Sequence, residues 1–265
     1  MYRKFFGLKT LPFNITCDPQ FYFESASHRE AYAALLYGIK EKKGIILLTG
    51  EVGTGKTTLC RTLLSNIEEK IKVSLILNPV FSDVQLLQAI VEDFGLHLEK
   101  KSRLDIVNRL NDFLIDLSMK GGTAVLIIDE AQDLTIRQLE QIRLLSNLET
   151  SQDKLLQIVL VGQPELLEKL KEYRLRQIRQ RIFIKYHLEP LRKDEIEEYV
   201  QMRLNKSGRN NITITPECYK VIYGFSKGIP RLVNILCDRT LLIGYVEERI
   251  VFDAEIFKNS MKELL

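Results

Sequence analysis

Five short apolar runs punctuate the chain, at 44–48, 73–77, 124–128, 156–161 and 182–188. They are strand-sized and show little polar alternation, as expected of strands buried on both faces. Between most of them lie longer stretches, 57–69, 84–94 and 104–119, whose apolar positions recur three and four apart. That period predicts helices. Apolar strands alternating with helices predict a parallel sheet with helices on both faces. Past Pro190 the pattern changes to helices only. Over 194–204, Ile196, Tyr199, Val200 and Leu204 share one helical face. Thr215 and Pro216 cap and open a second helix, which Gly228 ends; Pro230 opens a third and Asp253 caps a fourth. Ahead of all this stand the scattered aromatics Phe5, Phe6, Phe13, Phe21, Tyr22 and Phe23. They are expected to pack on the core rather than grip a base. Ser25 or Ser27 caps a helix running to about Lys40. The predicted class is α/β: a domain over 1–190, with 1–30 as an irregular segment packed on it, then a small all-helical domain over 191–265.

Composition leaves this picture intact. The 265 residues are 45% hydrophobic and 28% charged, with a net charge of +3, ordinary for a globular protein. That balance does not demand nucleic acid or an anionic membrane as partner. Cys17, Cys60, Cys218 and Cys237 are far apart with no CxxC pair, so zinc and redox signatures are absent and buried reduced thiols are expected. The opening Phe5-Phe6-Gly7-Leu8 is too short an apolar run for a signal peptide. No stretch approaches the ~20 apolar residues that span a bilayer. A cytoplasmic chain without a membrane span is the expectation.

The chemistry begins after the first apolar run. Gly50-Glu51-Val52-Gly53-Thr54-Gly55-Lys56-Thr57 fits G-x-x-x-x-G-K-[ST] without mismatch, between a predicted strand and a predicted helix. Glycines let such a loop turn its N–H groups onto phosphates, and the helix that follows adds positive dipole character. Lys56 supplies a point charge to the β and γ phosphates. The Thr57 hydroxyl ligates magnesium, and Thr58 completes the loop. The ligand this predicts is ATP with Mg2+.

The third run ends in Asp129-Glu130. Carboxylates at the carboxyl end of a strand stand at the ligand edge of an open α/β sheet. Asp129 is assigned to magnesium through its water shell, and Glu130 to the attacking water. Phosphoryl transfer needs positioning and electrostatics more than covalent help, so one metal ligand and one water-positioning acid suffice. The adjacent pair favours an ATPase that drives mechanical or conformational work over a small-molecule kinase or a Ras-like switch.

Three further positions are candidates. Gln163 follows the fourth strand and is the candidate to touch the γ-phosphate or the water, ahead of the alternative that it is a loop start. Arg176, Arg179 and Arg181 precede the fifth strand, with Arg176 and Arg179 on one helical face. They are either a solvated basic helix or the source of an arginine finger for a neighbouring subunit's site, with Arg181 ahead of Arg179. Arg231 opens a helix, where its charge opposes the dipole; it would meet either a γ-phosphate or a carboxylate.

These motifs together resemble those of an AAA+ ATPase. More narrowly, the chain is similar to the general secretion pathway protein A family. The resemblance is carried by Phe5-Phe6-Gly7-Leu8, Pro12-Phe13, Ser27-His28-Arg29-Glu30-Ala31, Leu36-Tyr37-Gly38-Ile39, the phosphate loop from Leu47 to Thr58, Asp129-Glu130-Ala131-Gln132, Val161-Gly162-Gln163-Pro164-Glu165-Leu166, the arginine stretch and Gly228-Ile229-Pro230-Arg231-Leu232-Val233-Asn234. It implies a five-stranded parallel sheet, a helical lid, and ATP bound between them in oligomers. Larger members of that family continue into a membrane span and a peptidoglycan-binding domain and help assemble a secretin; this chain is expected to be a short form with neither. Shorter relatives serve pilus biogenesis or polysaccharide export, and similar ATPases regulate DNA transposition.

The expected function is therefore an assembly or motor ATPase of a bacterial secretion, pilus or polysaccharide-export system. It would act as a homo-oligomer with Arg181 or Arg179 working in trans, in the cytoplasm or peripherally at the inner membrane through a partner protein. The alternative is a DNA-binding regulator of transposition. The modest net charge and the lack of a long Lys/Arg block make nucleic acid the less favoured partner, because duplex affinity rests on neutralising many phosphates. A non-hydrolysing nucleotide switch is disfavoured by Glu130.

Overall fold

The apolar runs form strands that are buried almost throughout. The computed structural model describes residues 2–16, 18–98, 102–150, 153–208 and 211–264. Five strands, β1 (Ile45–Gly50), β2 (Ile71–Ile76), β3 (Thr123–Ile128), β4 (Leu156–Gly162) and β5 (Ile182–Leu188), make one parallel sheet in the order β2-β3-β4-β1-β5. In chain order the helices are α1 (Tyr2–Phe5), α2 (Ala26–Lys40), α3 (Lys56–Ser65), α4 (Asp83–Asp93), α5 (Arg103–Met119), α6 (Ile136–Leu145), α7 (Pro164–Leu170), α8 (Arg176–Arg181), α9 (Glu195–Lys206), α10 (Pro216–Ser226), α11 (Pro230–Val246) and α12 (Ala254–Lys262). The chain divides into two compact units. One holds Glu30–Gly50 and Leu59–Leu188; the other holds Met1–Arg29, Glu51–Thr58 and Glu189–Leu265.

In the sheet unit, side chains alternate across the pleat, so each central strand feeds both faces. Ile45, Leu47, Leu126, Ile128, Ile158 and Leu160 pack with Leu86, Ile90, Ile106, Leu110, Leu139 and Ile142 of the helices on one face. Ile46, Leu48, Val125, Ile127, Val159 and Val161 point the other way and are equally buried. There α2 comes so close that a Cβ on Gly38 would lie 2.5 Å from Ile46 Cδ1 and 2.8 Å from Ile184 Cδ1. Glycine at 38 is what lets this helix lie against the sheet. Helix starts are capped as polar side chains dictate. Ser82 with Gln85 and Thr135 with Gln138 form capping boxes on α4 and α6.

The second unit has its own core. Ile196, Tyr199, Val200 and Leu204 of α9 do share a buried face, joined by Cys218, Ile222, Val233, Leu236, Leu241, Ile256 and Phe257. Ser25 caps α2, its Oγ accepting the His28 backbone N–H at 3.2 Å. Thr215 precedes Pro216 at the start of α10. Asp253 accepts from the N–H groups of Glu255 and Ile256 at the start of α12.

Two sequence expectations are corrected. The C-terminal stretch is not helical alone: β6 (Thr213–Ile214) pairs in parallel with β7 (Val251–Phe252). Two-residue strands are too short to leave a periodic trace. The N-terminal aromatics do not join the core of the sheet unit. Tyr2, Phe6, Leu8 and Phe13 belong to the hydrophobic cluster of the helical unit. Arg203 of α9 ties them there, donating from Nε to the Pro12 carbonyl at 2.6 Å and from Nη2 to the Asn14 carbonyl at 3.0 Å. Cys60, Cys218 and Cys237 are buried and outside any disulfide, whereas Cys17 lies outside the described residues.

Candidate functional site

All five strands run the same way, so their carboxyl ends share one edge of the sheet. Gly50 ends β1, Asp129 follows β3 and Gln163 follows β4. β3 and β4 are neighbours, with Ile128 opposite Leu160. From Gly50 the chain enters the loop that leads into α3. Gly53 and Gly55 adopt φ +82° and +103°, values that a side chain strongly disfavours. Thr54 is fully buried, its hydroxyl donating to the Glu51 carbonyl at 2.8 Å. Lys56 is buried too, and its Nζ curls back to the same carbonyl at 3.0 Å. The loop therefore holds an ammonium against its own backbone at the first turn of a helix. Two left-handed glycines, an enclosed cation and a helix start make a cradle suited to an oxyanion.

The back of this loop is supported from both sides in sequence. The Arg231 N–H donates to the Gly53 carbonyl at 3.2 Å. A Cβ on Gly53 would lie 2.6 Å from Arg231 Cβ, and one on Gly55 would lie 2.9 Å from His28 Nε2. Arg231 is exposed at the start of α11 and forms no ion pair among the described residues, which removes the carboxylate partner weighed for it above. His28 is buried against the loop, and burial lowers its imidazole to about 4 despite a hydrogen bond to the Thr54 backbone.

The acidic pair has a distinct geometry. Asp129 is buried, and its Oδ1 accepts the Glu130 N–H at 2.9 Å. Glu130 sits at φ +50°. A left-handed non-glycine residue is strained, and such strain concentrates at functional positions. Its Oε2 accepts from Gln132 Nε2 at 2.6 Å and from Gln163 Nε2 at 3.2 Å. The Gln132 Oε1 in turn accepts the Gln163 N–H at 3.1 Å. Gln132 thus locks both Glu130 and the end of β4, and no spacing rule assigns it that role. Gln163 is the extended residue before α7, its side chain does not cap that helix, and Pro164 follows at the first turn.

The arginines are held differently from one another. Arg181 is half-buried, and its Nη1 donates to Ser146 Oγ at 3.3 Å and to Asn147 Oδ1. Arg179 is exposed and donates to the carbonyls of Leu170 and Lys171 at 3.5 and 3.3 Å. Arg176 stacks 4.3 Å above the exposed ring of Tyr173. The side-chain hydrogen-bond partners of Arg179 and Arg181 among the described residues are uncharged, and Arg181 also lies close enough to Glu149 to interact with its carboxylate.

A sequence profile described as an AAA domain matches residues 39–170. General secretion pathway protein A of Aeromonas hydrophila is 43% identical over 246 residues, which is 92% of this chain and 45% of that protein. The chain carries an AAA domain over residues 39–170. It is a homologue of general secretion pathway protein A and spans under half of that relative's length. Solved structures agree on the fold. Cdc6p from Pyrobaculum aerophilum aligns with a TM-score of 0.69 at 17% identity, over 99% of this chain and 71% of that one. The Aeropyrum pernix ORC2 protein, solved in ADPNP–ADP complexes, aligns at 0.67 and 15%, over 91% and 67%. A Thermotoga maritima RuvB variant aligns at 0.61 and 19%, over 92% and 70%. Within this AAA chain, no helix among the described residues is long and apolar enough to cross a membrane.

Proposed function

We propose that this AAA protein binds ATP with magnesium and hydrolyses it to drive assembly in a bacterial envelope-secretion system. The observation that carries the enzymatic part is Glu130, whose backbone is left-handed and whose carboxylate is held by two side-chain amides. A solvated loop glutamate would need no such clamp. A carboxylate fixed at the ligand edge of the sheet can orient a water and take its proton as it attacks phosphorus.

The phosphate loop, Gly50 to Thr58, binds the polyphosphate through its backbone N–H groups and Lys56. Thr57 and Asp129 are the proposed protein ligands to magnesium, by their motifs. The buried carboxylate of Asp129 suits a hard cation that keeps most of its water shell. Magnesium, when bound, would neutralise charge building on the phosphate oxygens. Gln163 holds Glu130 from the neighbouring strand, and Arg231 contributes a free guanidinium beside the loop it braces. The envelope-secretion role rests on 43% identity over nearly the whole chain. A cytoplasmic location, with contact to the inner membrane through a partner, follows from that role.

Arg181 or Arg179 is proposed to complete the site of a neighbouring copy, since a cation reaching the transition state in trans is worth ~10³–10⁵ in rate in related systems. The test mixes two inactive variants. Arg181→Ala keeps a sound pocket and offers no finger; Lys56→Ala has a ruined pocket and still offers one. Phosphate release should partly return on mixing. A mixture that stays inactive while the two variants co-assemble would reject Arg181, and the same result with Arg179→Ala would reject the trans mechanism.

A further inference from the structure

The phosphate loop is backed by a residue from a distant part of the sequence. His28, in the first turn of α2, is buried, and its Nδ1 lies 2.7 Å from Ser25 Oγ. Ser25 Oγ also accepts the His28 backbone N–H at 3.2 Å. That hydroxyl has one proton to give, and the ring nitrogen beside it is its acceptor. Nδ1 therefore accepts, and the ring proton resides on Nε2. The ring's Nε2 lies 2.9 Å from the point where a Cβ on Gly55 would stand, which sets it against the Thr54–Gly55 peptide, and the Thr54 backbone is its partner there. The Thr54 N–H is already committed to the Glu51 carbonyl, so the Nε2–H donates to the Thr54 carbonyl. Tyr22 packs edge-on against the ring at 5.7 Å. Glu195 fastens the same turn from α9, accepting the Ala26 N–H at 3.0 Å and the Arg192 N–H at 2.8 Å.

One peptide unit connects these facts to the site. In a trans peptide the carbonyl and the next residue's N–H point in opposite directions. Pulling the Thr54 carbonyl toward His28 turns the Gly55 N–H away from it. No acceptor meets that N–H among the described residues. Gly55 is at φ +103°, where the absence of a Cβ would otherwise let the peptide flip at small cost. We propose that His28 is a positioning residue that locks the Thr54–Gly55 peptide so that the Gly55 N–H faces the phosphates of the bound nucleotide. This rests on the phosphate-loop reading given above and extends it to a residue outside the loop. Freedom that glycine supplies for the loop's shape is removed again by one imidazole.

The test compares His28→Leu, His28→Gln and His28→Asn in the full chain by titration with ATP and magnesium. Leucine fills the space and donates nothing. Glutamine places an amide N–H near the position of Nε2, whereas asparagine reaches only to that of Nδ1. His28→Leu should bind ATP on the order of tenfold more weakly, the size of one charge-assisted hydrogen bond. His28→Gln should recover most of the affinity and His28→Asn should not. In the wild-type chain the Gly55 amide proton resonance should move on adding ATP, and in His28→Leu it should move much less; a role confined to packing would leave that difference out. Wild-type affinity in a folded His28→Leu overturns the inference alone. Should that variant fail to fold, equal affinities for the glutamine and asparagine variants overturn it. Absence of ATP binding by the wild-type chain would overturn the phosphate-loop reading along with it.

Discussion

Glu130→Gln is expected to bind ATP as the wild type does and to hydrolyse it about 10²–10⁴ times more slowly, the range attributed to a positioned acid or base. The substitution is close to isosteric. The glutamine side-chain oxygen can still accept from Gln132 and Gln163, which now meet Glu130 Oε2 at 2.6 and 3.2 Å. Position is kept; the negative charge and the capacity to take a proton are lost. Each factor of ten corresponds to about 1.4 kcal/mol of barrier, so the effect amounts to roughly 3–5 kcal/mol. Parallel measurements of nucleotide titration and phosphate release check it. Unchanged turnover would mean that another group positions the water, and the hydrolytic role would lose the observation that carries it.

Lys56→Ala should act one step earlier, on binding. Lys56 is buried in the loop with its Nζ on the Glu51 carbonyl, so the ammonium is already enclosed where phosphates would arrive. Removing it deletes at least two charge-assisted contacts to the polyphosphate. A loss of about hundredfold in affinity is the expected size. The fold should survive, because a cation in the first turn of α3 opposes the helix dipole and its removal does not weaken that helix. Titration with a fluorescent ATP analogue, alongside a thermal melt without nucleotide, separates the two effects. Near-normal affinity in a folded variant would reject the phosphate-loop assignment.

Much of the sheet unit was legible because its strands are buried on both faces. The run 124–128 contains no polar residue, and Ala124, Val125, Leu126, Ile127 and Ile128 are all buried. The loop from Gly50 to Thr57 stood out because G-x-x-x-x-G-K-[ST] puts residue types at fixed spacing, and Gly55, one of the fixed positions, takes φ +103°. What escaped depends on partners far apart in sequence. Tyr2 donates to Asp238, and Arg203 reaches Pro12 and Asn14; no local pattern ties the N-terminal aromatics to the helical unit. The clamp on Glu130 escaped for a related reason. Gln132 sits two residues on, but its effect needs the left-handed turn at Glu130 and the neighbouring end of β4, neither of which leaves a periodic signal. His28 stands in a stretch that carries the family resemblance, yet only the fold puts its ring against Thr54.

The most direct test of the central claim is release of inorganic phosphate from ATP by the wild-type chain, measured with magnesium present and again after chelation. The account predicts steady release that depends on magnesium and rises per subunit with protein concentration as sites are completed by neighbouring copies. No release from a folded chain at concentrations where it self-associates, or release that chelation leaves unchanged, would contradict it.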